Sequence, residues 1–125
     1  MAKRVLDVGN CVPDHAAITR LITSNFDCEV LQAHAARDAL DILKKQGADL
    51  VLINRKLDQD YSDGVEVLRQ IKADPKVAAV PVMLITNYAD HQEEAIKLGA
   101  IYGFGKLEFS KPETVERLKS VLGKD

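Results

Sequence analysis

Five short apolar runs, residues 4–8, 29–33, 50–54, 80–86 and 101–105, recur along the chain, each followed by a helix-like segment. Several are continuously apolar rather than alternating, the pattern of strands covered on both faces. Burial on both faces requires helices above and below a mostly parallel sheet, and parallel neighbours are joined by right-handed crossovers. Few arrangements satisfy those conditions. With no repeat or low-complexity linker in its 125 residues, the chain is expected to form one α/β domain, a (βα)5 doubly wound parallel sheet.

Helix boundaries are readable. Asp14 is placed to cap the first helix, whose Ile18, Leu21 and Ile22 share one face. Segment 36–46 turns Ala39, Leu40, Ile42 and Leu43 inward and ends at Gly47. Ser62 or Asp63 opens a third helix carrying Val65, Val67, Leu68 and Ile71, with Pro75 just beyond it. A shorter helix, 90–98, stops at Gly99. Ser110-Lys111-Pro112-Glu113 reads as a capping box ahead of Val115, Leu118, Val121 and Leu122. The strand order expected is flavodoxin-like, 2-1-3-4-5, with the switch point between the first and third strands. Ligands bind outside the carboxyl ends of strands at such a point, so Gly9, Asn10, Asn54 and groups ending the fourth and fifth strands should line one crevice.

Composition narrows the function. Acidic and basic side chains (19 and 17, net charge −2) are interleaved, without the basic block or stripe of a nucleic-acid binder. No apolar run approaches the ~18 residues of a membrane span. The first four residues lead straight into a strand, without the apolar stretch of a leader peptide. A cytoplasmic protein is expected. Cys11 and Cys28 make no metal-type or redox-type pair and are read as reduced thiols.

The stretch Asp49-Leu50-Val51-Leu52-Ile53-Asn54, then Asp63-Gly64-Val65-Glu66-Val67-Leu68, then Val80-Pro81-Val82-Met83-Leu84-Ile85-Thr86, then Gly99-Ala100 with Lys106 after the fifth strand, resembles a CheY-like response regulator receiver domain over nearly the whole chain. In that family two acidic residues ending the first strand help hold Mg²⁺, and an aspartate ending the third is phosphorylated. A Thr or Ser after the fourth strand and a Lys after the fifth contact the phosphoryl group. The resemblance puts the acidic pair on Gly9 and Asn10 and the acceptor on Asn54; only Thr86 and Lys106 match. The family's aromatic switch residue falls on Gly103, and the proline after the lysine is Leu107, which puts the usual cis peptide in doubt.

Mg²⁺ is a hard cation that favours carboxylate oxygens, so neutral amides facing Lys106 beside Arg55 predict a neutral to positive pocket with absent or weak Mg²⁺ binding and no cofactor. An amide also lacks the nucleophilic oxygen needed for an acyl phosphate. The function expected is therefore a phosphorylation-independent pseudo-receiver within two-component-type signalling: a non-enzymatic protein-interaction module, single over residues 1–125 and without an output domain. Its expected partners are signalling proteins such as a histidine kinase, another regulator or a second copy. The face built by the fourth helix, fifth strand and fifth helix, which receivers use for partners, carries Tyr88, Ile101, Tyr102 and Phe109.

Two other functions stay open. Thr86 and Lys106 are either remnants, with Thr86 capping a loop and Lys106 donating to Asn54 or to carbonyls, or a live site for a small anion. Alternatively, another aspartate replaces the acceptor. Asp58 and Asp60, with Asp63, cluster in a longer loop whose spacing misses the EF-hand pattern; it reads as a solvated loop or as one that returns a carboxylate to the pocket. Asp7 interrupts an apolar strand, and a buried carboxylate must find a partner or a shifted pKa. Lys106, a hydroxyl or a backbone amide are the partners considered, and a structural role is expected. His15, His34 and His91 fall in separate elements and form no ligand set; His15 reads as a surface histidine near the crevice rim.

Overall fold

A computed structural model describes residues 2–123. The elements alternate without exception: β1 (Lys3–Val8), α1 (Val12–Asn25), β2 (Cys28–Ala33), α2 (Ala36–Lys45), β3 (Leu50–Asn54), α3 (Gly64–Ala73), β4 (Val82–Ile85), α4 (Ala89–Lys97), β5 (Ile101–Phe104) and α5 (Pro112–Leu122). The sheet is five-stranded and parallel in the order β2-β1-β3-β4-β5, as expected. Its register sets Asp7 opposite Leu52 and Asn54 opposite Ile85, so the strands end together at the crevice.

The pleat divides the core in two. Leu6, Val8, Val51, Ile53, Val82 and Leu84 meet α2, α3 and Ala95 of α4 on one face. Val5, Leu50, Leu52, Met83, Ile85 and Phe104 meet Ile18, Leu21 and Ile22 of α1 and Leu118 and Leu122 of α5 on the other. These alternate sets are what side chains of period two must produce. Among the described residues no helix is long and apolar enough to cross a membrane.

Most helix signals hold. Asp63 caps α3 through Val65 N (2.9 Å), and Gly47, at φ +76°, follows the end of α2 in the left-handed region. Two do not. Cys11, not Asp14, is the N-cap residue of α1, and Lys111, not Ser110, is that of α5. Proline explains both: it favours the first helical positions, and Pro13 and Pro112 occupy them. Asp14 therefore lies inside the first turn, with its carboxylate free for another use.

Candidate functional site

Asn54 ends β3 at the crevice, and its amide nitrogen donates to two carbonyls, Lys56 O at 2.7 Å and Gly9 O at 3.3 Å. Those partners decide which end of the amide is nitrogen. A carboxylate in the same place would face two acceptors and could bond neither. Asn54 is thus a strut between the turn after β1 and the loop after β3.

Gly9 is fixed by its neighbours. It sits at φ +77°, and a Cβ there would collide with Leu57 Cδ2 while lying 3.2 Å from Leu57 Cα. Leu57 is buried, and the following residue donates from Asp58 N to Gly9 O at 2.9 Å. The loop after β3 occupies the space an acidic side chain at residue 9 would need. Asn10 is buried, and its amide nitrogen donates to Asp7 Oδ1 at 2.5 Å.

Asp7 is fully buried. Its partners are Asn10 and His15, whose Nδ1 lies 2.7 Å from Asp7 Oδ2; neither Lys106 nor a hydroxyl nor a backbone amide fills that role, and His15 is not a plain surface side chain. Burial, the largest influence, outweighs the hydrogen bonds from His15 and Asn10 and pushes the Asp7 carboxyl above its ordinary value. The fold thus favours the protonated form. Its contribution is fully present below the unfolded-state carboxylate value and is lost as pH rises through the folded one. Asp7→Asn removes that loss, so its thermal midpoint should gain on the wild type between acid and neutral pH. Parallel melting curves across that range would contradict the assignment.

Lys106 opens a 3-10 turn after β5, and its Nζ lies 2.6 Å from Asp14 Oδ2. The Cys11 thiol donates to the same oxygen at 3.2 Å. Burial alone would raise the Asp14 carboxyl, but the hydrogen bonds from Lys106 and Cys11 and the Lys106 charge hold it below its ordinary value. Lys106 therefore does not donate to Asn54 or to carbonyls, as the sequence suggested; its counter-ion comes from α1. Arg55 is likewise paired, with Asp63 at 3.1 Å. Thr86 Oγ1 lies 3.1 Å from His91 Nδ1 and accepts from Tyr88 N at 3.3 Å, so the loop-capping role expected of Thr86 is present.

The acidic loop turns its carboxylates elsewhere. Asp60 accepts from the backbone and hydroxyl of Ser62 (2.9 and 2.6 Å), Asp58 Oδ1 lies 3.9 Å from His34 Nδ1, and Asp63 caps α3. Tyr61 stands exposed at the loop tip with φ +58°. Among the described residues no group of three or more His, Cys, Asp or Glu is placed to hold a metal.

Around the switch position the structure adds a residue that sequence reasoning missed. Gln92 of α4 is buried; its amide nitrogen donates to Leu84 O (2.9 Å) and Thr86 O (3.3 Å), and its oxygen accepts from Gly103 N (2.9 Å). A Cβ at Gly103 would collide with Leu84 O, so an aromatic at residue 103 does not fit this β4–β5 pairing. No peptide among the described residues is cis, and Leu107 N donates to Asn87 Oδ1 at 3.1 Å. Tyr88 and Tyr102 are exposed, at 65% and 46%. Phe109 is half-buried, edge-on to Phe104 with ring centroids 5.9 Å apart, and packs against the α1–α5 side of the core.

Known proteins share this chain's pattern. The family profile described as response regulator receiver domain matches residues 11–122. A polar-differentiation response regulator, DivK of Brucella ovis, is 29% identical over 96 residues, 76% of each chain. The receiver domain of a DNA-binding response regulator from Colwellia psychrerythraea superposes with a TM-score of 0.82 at 21% identity, covering 98% of this chain and 99% of that one. The receiver domain of the Pseudomonas aeruginosa sensor kinase PA1611, with magnesium in its active-site cleft, gives 0.80 at 20%, covering 99% and 100%. NtrX of Brucella abortus gives 0.78 at 24%, but this chain spans 98% of itself and only 27% of that protein. The fold, strand order and profile match agree: this chain belongs to the response regulator receiver domain family of two-component signalling.

Proposed function

We propose that this receiver domain works without an aspartyl phosphate, as a protein-interaction module whose partners are signalling proteins: a histidine kinase, another regulator or a second copy of itself. The observation that carries the reading is the Asn54 side chain, an amide engaged as donor to Gly9 O and Lys56 O where a receiver presents its acceptor carboxylate. The donor set also does not fit Mg²⁺. Residue 9 has no side chain, Asn10 offers a neutral amide whose nitrogen is turned to Asp7, and Asp14, beside Lys106, is already paired. Asp7 and Asp60 are held in hydrogen bonds to His15 and Ser62, which speaks against either as a substitute acceptor, whereas Asp58 Oδ1 has no hydrogen-bond partner among the described residues and stands 3.9 Å from His34.

Restoring one residue should not restore the chemistry. Asn54→Asp, incubated with Mg²⁺ and acetyl phosphate, is expected to stay at background labelling, because no acidic pair accompanies it. Robust Mg²⁺-dependent labelling of that variant would overturn the reading of the pocket. A second reading, a small-anion site around Thr86 and Lys106, is favoured by a crevice lining free of acidic side chains.

A further inference from the structure

Between the ends of β3, β4 and β5 lies a crevice of about 330 Å³. That is far more than an inorganic anion fills and at the lower end of the ~300–1,000 Å³ of small-molecule sites. Its lining includes Arg55, Lys56, His91 and Lys106 and no acidic side chain, in a chain whose net charge is −2. Thr86 and the Asn54 amide lie at its floor ends of β4 and β3, and the exposed Tyr88 ring stands at its side, edge-on to His91 with centroids 5.3 Å apart. Two of those basic groups are already matched from outside the lining, Arg55 by Asp63 and Lys106 by Asp14; a flat ring surface beside them suits a ligand with an anionic end and a planar body.

One anion already sits there. The Asp14 carboxylate reaches from α1 to Lys106 Nζ, within 2.6 Å, from outside the lining. It occupies the position on the lysine that an oxyanion from solution would take. We infer that the crevice binds a small-molecule oxyanion carrying a planar ring, a phosphate or carboxylate end replacing Asp14 on Lys106 while the ring lies against Tyr88. The inference deepens the proposed function, since a site without covalent phosphate is one a free ligand can enter and leave. The two fail separately: a covalent label from acetyl phosphate would strike the proposed function, whereas absence of reversible binding would strike this inference alone.

The test is a titration followed by ¹H–¹⁵N NMR, with adenosine 5′-monophosphate and benzoate as ringed anions, and adenosine and inorganic phosphate as controls lacking charge or ring. Either ringed anion is expected to shift the Thr86, Tyr88 and Lys106 amides, and the matching control should bind about tenfold more weakly or worse. Lys106→Met should abolish the shifts. Asp14→Asn, which keeps the lysine and removes its internal counter-ion, should tighten binding severalfold. Because the two variants move affinity in opposite directions, general unfolding cannot produce the pattern. Shifts by neither ringed anion, shifts confined to other surfaces, or weaker binding by Asp14→Asn would overturn the inference. Response to the phosphate end only, or to the carboxylate end only, identifies which oxyanion the site takes.

Discussion

An aspartate introduced at Gly9, the first half of an acidic pair, is expected to destabilise the domain by roughly 2–5 kcal/mol. Two physical terms add. Residue 9 sits at φ +77°, where a side chain is strained, and its Cβ would be driven into Leu57, a buried core residue whose backbone Cα lies only 3.2 Å away. Urea denaturation should show a lower midpoint with an unchanged slope, the sign of lost stability in an otherwise unaltered transition. Cutting Leu57 back to Ala alone should destabilise too, by opening a cavity. The double variant should lose less than the sum, because the truncated side chain gives the new Cβ room. Strict additivity would mean that the Gly9–Leu57 contact does not govern residue 9. The loop after β3 fills the space that a side chain at residue 9 would need.

Gln92→Ala is expected to destabilise the domain by roughly 2–4 kcal/mol, since it leaves the Gly103 amide and the Leu84 carbonyl without their partner in a buried setting. Gln92 joins α4 to the ends of β4 and β5 through three backbone contacts at the place where the family's switch aromatic would sit. If it holds that corner, hydrogen exchange at Gly103 N–H should accelerate in the variant far more than exchange in β1 or β3. Uniform acceleration would indicate only global destabilisation, and no change in Gly103 would remove Gln92 from the account. Gln92→Glu would turn a buried carboxylate toward the Leu84 and Thr86 carbonyls, so at neutral pH it should destabilise at least as much as Ala and recover as falling pH protonates the new side chain. A corner fixed in this way, with glycine in place of a rotating ring, suits a surface presented in one conformation.

The sheet order and the residues ending the strands were legible because they depend on local patterns. Continuous apolar runs declare two-faced strands, and topology alone then brings Asn54, Thr86 and Lys106 to one crevice; Gly9 touches Asn54 from beside it, and Asn10, expected in the same lining, is buried against Asp7 instead. Polar partners were legible only where the chain is short between them. Asp63 and Val65 are two residues apart, and that cap was expected. Asp14 and Lys106 are 92 positions apart, and nothing local couples them. Reading Asp14 as a helix cap also spent its carboxylate in advance, although Pro13 was a signal that the helix starts earlier. Gln92 was overlooked because a glutamine on a short, charged helix looks solvated. Its spacing of three from Ala95, the other buried residue of α4, was the available clue. Phe109 was placed in or near the partner face by analogy, and its half-buried ring also packs on the α1–α5 side of the core against Phe104.

No aspartyl phosphate should form on this domain. Intact mass spectrometry after incubation with Mg²⁺ and acetyl phosphate, the wild type beside Asn54→Asp, decides the matter. Both proteins should keep their unmodified masses, with amide spectra unchanged by Mg²⁺. A gain of one phosphoryl group by the wild type, labile to hydroxylamine as an acyl phosphate is and mapping to Asp7, Asp58 or Asp60, would contradict it.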